Sequence, residues 1–229
     1  MPFLIALGGV LLLVLIFGPQ VWVRRVLKQH GADRPDLPGT GAEFARHLLD
    51  AADLQSVAVE KTDLGDHYDP ETRAVRLLAQ HHDGRSIAAV AVAAHEVSHA
   101  VQHAREEPAF MRRLELVQSL TWVERIASGV LMLAPIMFIL VRSPLLVILQ
   151  ILAGVSLLGI RVVVHATTLP VEFDASFGKA LPVLVRGRYL SAGDMPAARS
   201  VLKAAAYTYV AAALATLLDV ARWFRILRF

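Results

Sequence analysis

Four apolar stretches, about residues 3–17, 126–141, 145–164 and 204–220, constrain this chain more than any other feature. Each approaches the ~20 residues that a helix needs to cross a hydrocarbon core. The composition agrees: 55% of the 229 residues are hydrophobic, 19% are charged, and the mean hydropathy is +0.52. A soluble domain of this length rarely needs so much apolar material. The excess lies in Leu, Val, Ile and Ala rather than in aromatics, as in membrane helices packed through small residues. The expected fold class is a mostly α membrane protein with three to four transmembrane or membrane-associated helices and a small α+β domain.

The first stretch is followed, not preceded, by positive charge at Arg24, Arg25 and Lys28. A secretory signal has the opposite order. The reading is a retained transmembrane helix whose C-terminal end faces the cytoplasm. Arg142-Ser143-Pro144 joins the second and third stretches tightly, as in a transmembrane hairpin. Arg222, Arg225 and Arg228 argue against a fourth crossing and favour a buried or interfacial last helix. The expected location is the plasma membrane, multi-pass, with the domain of residues 30–120 cytoplasmic and membrane lipid as a partner. The segments are 1–29 (first helix and basic flank), 30–120 (α+β domain), 121–164 (hairpin), 165–203, and 204–229 (last apolar helix).

The net charge of +3 is spread over many Arg residues, with no basic cluster interleaved with aromatics, so no nucleic-acid partner is expected. The chain has no Cys, which excludes disulfides, thiolate ligands and a Cys nucleophile. Any metal site must draw on His, Asp and Glu.

Within 30–120, a linker rich in Pro, Gly and Asp precedes a helix over Gly41–Asp53 and a strand over Ser56–Glu60. The segment Asp66–Leu77 reads as a hairpin turning at Asp69-Pro70. Ser86 is a plausible N-cap for a helix running from Ile87 to His103.

That helix carries His95-Glu96-Val97-Ser98-His99. Histidines four apart lie on one helix face, one turn apart, and can converge on one ion. Glu96, beside them, is placed to be the general base for a zinc-activated water. The residues before the motif are small and apolar, so the motif is buried, where two histidines and a carboxylate are costly unless a metal or partners satisfy them. A catalytic zinc of this type has three protein ligands and one open position. His103 continues the face, but a further turn along it cannot easily close a tetrahedral site and reads as a group behind the ligands. Glu172, in Leu169-Pro170-Val171-Glu172-Phe173-Asp174-Ala175-Ser176, is the better third ligand. On the residues alone it is equally a carboxylate stabilising a helix start near Pro170.

Three stretches together resemble the membrane-bound neutral zinc metallopeptidase family, the YugP-like proteins: Asp66–Pro70, Gly84–His103 and Leu169–Ser176. The family is similar to the wider gluzincin clan of His-Glu-x-x-His peptidases. The resemblance implies a zincin-like catalytic domain, Zn2+ held by His95, His99 and Glu172, and Glu96 as catalytic base. It implies Asp174 as a group orienting one ligand histidine. This chain departs from the clan in having Ser98 before the second histidine and Ser176 where the clan has Asp. In zincins an edge strand beside the metal binds substrate backbone by strand addition. The hairpin, with Tyr68, Arg73 and Val75, is the candidate for that role. His165, Arg186, Tyr207 and Tyr209 are open candidates for an oxyanion donor.

The expected function is an integral-membrane zinc metalloendopeptidase acting on protein or peptide substrates at the cytoplasmic face. The alternatives are a membrane scaffold with structural zinc and an intramembrane protease of the site-2 type. Structural zinc usually has four protein ligands, often Cys.

Overall fold

Ile87–Ala104 is built almost wholly from Ala and Val before its histidines, and such small side chains let neighbouring elements approach from every side. A computed structural model describes residues 2–141, 143–208 and 210–211. Among them the elements run α1 (Pro2–Gln29), α2 (Gly41–Ala51), β1 (Ala58–Thr62), β2 (His67–Asp69), β3 (Ala74–Leu78) and α3 (Ala79–His82). Then come α4 (Ile87–Ala104), α5 (Pro108–Val141), α6 (Pro144–Phe173), a π-helix (Asp174–Ala180), α7 (Leu181–Arg186) and α8 (Met195–Ala206). The chain divides into two compact units: residues 18–111 with 169–208, and residues 1–17 with 112–168 and 209–229.

The first unit is organised around α4. Ser86 sits in extended conformation (φ −145°, ψ 162°), and its Oγ accepts the Ala89 N–H at 3.0 Å. That cap satisfies one of the free donors of the first turn. Ile87 to Ala100 are then all buried, against α2, β2, β3, α3, the π-helix, α7 and α8. α2 begins with a capping box: Thr40 Oγ1 accepts from the Glu43 N–H and Glu43 Oε2 accepts from the Thr40 N–H. The sheet has the order β1-β3-β2, with β1 parallel and β2 antiparallel to β3. Val75, opposite both Val59 and Tyr68, is fully buried in the middle strand. The β2–β3 turn is an Asp turn, with Asp69 Oδ1 accepting from the Glu71 and Thr72 N–H groups, and it closes at Arg73 with φ +52°. Asp66 fastens the hairpin to α3, taking the Leu78 N–H and pairing with buried His81 at 2.8 Å.

In the second unit, several large apolar side chains are exposed, among them Trp122, Ile126, Met132 and Leu145. The expectation of three to four transmembrane helices is corrected: among the described residues, no helix is long and apolar enough to cross a membrane. The helices are long, with 28, 34 and 30 residues in α1, α5 and α6. A crossing needs a sustained apolar window as well as length. Arg142 and the last apolar stretch from residue 212 onward lie outside the described residues.

Candidate metal centre

His95 and His99 project from one face of α4 with ring centroids 4.7 Å apart and planes at 81°. Glu172 comes to them from the far end of α6, with Oε2 3.2 Å from His95 Nε2 and 3.3 Å from His99 Nε2. The donor atoms of all three lie within 4.8 Å of one another and all three residues are buried. Glu172 does not begin a helix at Pro170, as the sequence suggested. Pro170 lies inside α6, which runs on through Phe173 into the π-helix. A carboxylate so placed has no helix N-terminus to stabilise.

The protons behind the imidazoles decide what this group can hold. Ser176 Oγ donates its single proton to the Leu202 carbonyl at 3.0 Å, so it accepts from His95 Nδ1, also at 3.0 Å. Gln102 gives its amide N–H groups to the Val171 carbonyl at 3.1 Å and to Asp174 Oδ2 at 2.7 Å. Its Oε1 is thereby turned to accept from His99 Nδ1 at 2.9 Å. Both histidines thus carry a proton on Nδ1, and both Nε2 atoms face the carboxylate oxygen. Two imidazole Nε2 atoms and a carboxylate oxygen thus point at one place, an arrangement that a bound cation satisfies. Burial pushes the Glu172 carboxyl up, but the two imidazoles outweigh it and hold it below the usual carboxylate range. Two imidazole nitrogens and one carboxylate oxygen are the donor set of a catalytic zinc.

Glu96, the residue after the first histidine, is itself buried at 6% exposure. Asp174 does not reach a histidine directly; it reaches His99 through Gln102. Burial raises the Asp174 carboxyl, and hydrogen bonds from Lys179 and Gln102 lower it below its ordinary value. Lys179 also pairs with Glu107 at 3.0 Å. His103 stands apart from the three-residue group, with its Nδ1 2.9 Å from the Tyr68 hydroxyl and its ring facing Phe110. Burial, helped by the Arg73 charge, keeps His103 below its ordinary value.

Of the three hairpin residues, Tyr68 lies on the edge strand β2, Arg73 is exposed at the turn, and Val75 is enclosed on both sides by strands. Tyr207 packs edge-on against Trp22 and Phe173. Arg186 Nε donates to the Pro182 carbonyl. Tyr209, and the side chain of His165, lie outside the described residues. Gln102, Ser176 and Lys179 are the residues that sequence reasoning missed. Gln102 is three residues after His99, a spacing that places side chains together on a helix. Ser176 was seen only as a missing Asp.

Two histidines one turn apart and a distant buried carboxylate form a group that could hold a metal ion. The chain belongs to the family described as "Putative neutral zinc metallopeptidase", whose pattern it matches over residues 5–228. It is 41% identical over 187 residues to the "Putative membrane protease YugP" of Bacillus subtilis (strain 168), covering 80% of this chain and 79% of that one. No solved structure matches it. The cofactor is zinc, and His95, His99 and Glu172 are the group that could hold it.

Proposed function

We propose that this chain is a zinc-dependent metallopeptidase in which His95, His99 and Glu172 hold the metal and Glu96 is the general base. The observation that carries this reading is the convergence of three buried donors, two of them histidines whose Nδ1 atoms are already engaged elsewhere. Zinc, when bound, polarises the scissile carbonyl and lowers the pKa of a water towards ~7. Glu96 takes the proton of the attacking water and passes it to the leaving amine. Three protein donors, rather than the four usual in structural zinc sites, are grouped among the described residues, which favours an open position for chemistry. α4 is covered by β2, β3, α2 and α8, unlike the lipid-surrounded motif helix of a site-2 protease.

The substrate is a protein or peptide, and the open edge of β2, which carries Tyr68, is the place where an extended backbone can pair. The name of the Bacillus relative and the exposed apolar side chains of residues 112–168 support action at a membrane surface. Glu96→Gln tests the mechanism in purified full-length chain with an unfolded protein substrate. Zinc content should be unchanged, while proteolysis falls at least ~100-fold, the lower range for loss of a general base. Proteolysis that survives the change contradicts the role given to Glu96.

A further inference from the structure

Gln102 is fully buried, at 1% exposure, and both the oxygen and the nitrogen of its amide are committed. Its Oε1 accepts from His99 Nδ1 at 2.9 Å, and its Nε2 donates at 3.1 Å to the Val171 carbonyl and at 2.7 Å to Asp174 Oδ2. Val171 immediately precedes Glu172, and Asp174 is two residues beyond it. One side chain on α4 therefore grips a ligand of its own helix and both flanks of the ligand from α6. Asp174 is in turn anchored by Lys179, one π-turn further on, which also pairs with Glu107. Gly178 leaves the space that this carboxylate fills: a Cβ there would lie 2.3 Å from Asp174 Oδ1.

We infer that Gln102 is a positioning residue that sets zinc affinity by coupling His99 to Glu172, with Asp174, Lys179 and Gly178 holding it in register. The inference rests on the metal-site reading above and adds the element that keeps two separate helices at ligand distance. A ligand histidine gains basicity and a fixed ring plane from a partner on its other nitrogen, and loss of such partners costs ~10–100-fold in metal affinity. Gln102 also sets the direction of the hydrogen bonds, because its Oε1 can only accept from His99 and its Nε2 can only donate to Asp174. Reversing both ends of the Gln102–Asp174 contact should restore it. Gln102→Glu places an anion against Asp174, and adding Asp174→Asn supplies an amide donor in its place.

The test is zinc affinity of the purified full-length chain by competition with a chelating dye, beside the thermal midpoint of the metal-free form. Gln102→Leu should weaken zinc binding ~10–100-fold, the range for such partners. Gln102→Glu should weaken it comparably, and Gln102→Glu with Asp174→Asn should regain several-fold over the single change. Lys179→Met and Gly178→Ala, which do not touch a ligand, should each weaken binding several-fold. If Gln102→Leu fails to fold, the single and double glutamate variants and Lys179→Met carry the same comparison. A lowered metal-free midpoint with zinc affinity within about twofold of wild type in these variants would make Gln102 purely structural and overturn the inference. So would a double variant no better than Gln102→Glu alone. Wild type that binds no zinc would overturn the metal-site reading itself, whereas wild type that binds zinc while the Gln102 variants do likewise would overturn only this one.

Discussion

Ser176 has one hydroxyl proton, and its donation to the Leu202 carbonyl obliges the oxygen to accept from His95. This chain holds His95 with a neutral group, as it holds His99 with Gln102. A neutral partner fixes the tautomer without adding charge to the site, so the ligand set keeps the single negative charge of Glu172. Ser176→Ala should therefore leave the His95 Nδ1–H buried without its acceptor, at a cost of about 1–3 kcal/mol in stability. Zinc affinity should fall about tenfold, within the range for lost partners of ligand histidines. Thermal unfolding and chelator competition read the two effects separately, and a variant that binds zinc as wild type does would show that Ser176 does not orient the ligand.

At the scale of elements, α4 depends on neighbours that come close enough to bury it. Gly41, the first residue of α2, is one such approach: a Cβ there would lie 2.1 Å from the His81 carbonyl and 3.2 Å from the Ala89 methyl. Gly41→Ala must push α2 off α3 and α4, and the expected loss is about 1–3 kcal/mol, as for overpacked cores. Chemical unfolding of purified protein measures it, and an unchanged midpoint would mean the contact yields freely. These elements were not equally legible in the sequence. α4 was, because Ser86, an unbroken apolar run and two histidines at helical spacing all point to one helix. The hairpin was also legible from the turn chemistry at Asp69, whereas the middle position of β3 depends on pairing with β1, a contact no local pattern encodes. Pro170 suggested a helix start because proline favours first turns. It lies instead inside α6, and the π-helix after it follows no period that hydrophobic spacing reveals. The two histidines of the metal group could be read from spacing, while Glu172 needed a family resemblance. Gln102 and Ser176 are ordinary polar residues whose role exists only when α4, the π-helix and α8 are packed together.

At the scale of the whole molecule, the unit that holds the metal group is assembled from two separate parts of the chain, residues 18–111 and 169–208. Arg34 ties them, pairing with Asp194 at 2.9 Å and with Asp36 at 2.7 Å. Hydrogen bonds from Arg34, and then from Ser191, hold Asp194 down to about 2 from an ordinary 3.8. A carboxyl lowered by folding stabilises the fold fully above its ordinary value, and that contribution is lost as pH falls through the folded one. Asp194→Asn should thus be less stable than wild type above about pH 4, with the difference closing towards pH 2. Unfolding midpoints across that window check it, and a difference that persists unchanged at pH 2 would assign the effect to something other than this ionisation. The same two-part assembly brings Glu172 to a pair of histidines 73 residues earlier than itself, counted from His99. Metal content of purified wild type beside Glu172→Ala tests that convergence most directly. The expected result is one zinc per chain in wild type and loss of zinc in the variant. Zinc retained at full stoichiometry in Glu172→Ala would contradict the metal centre described here.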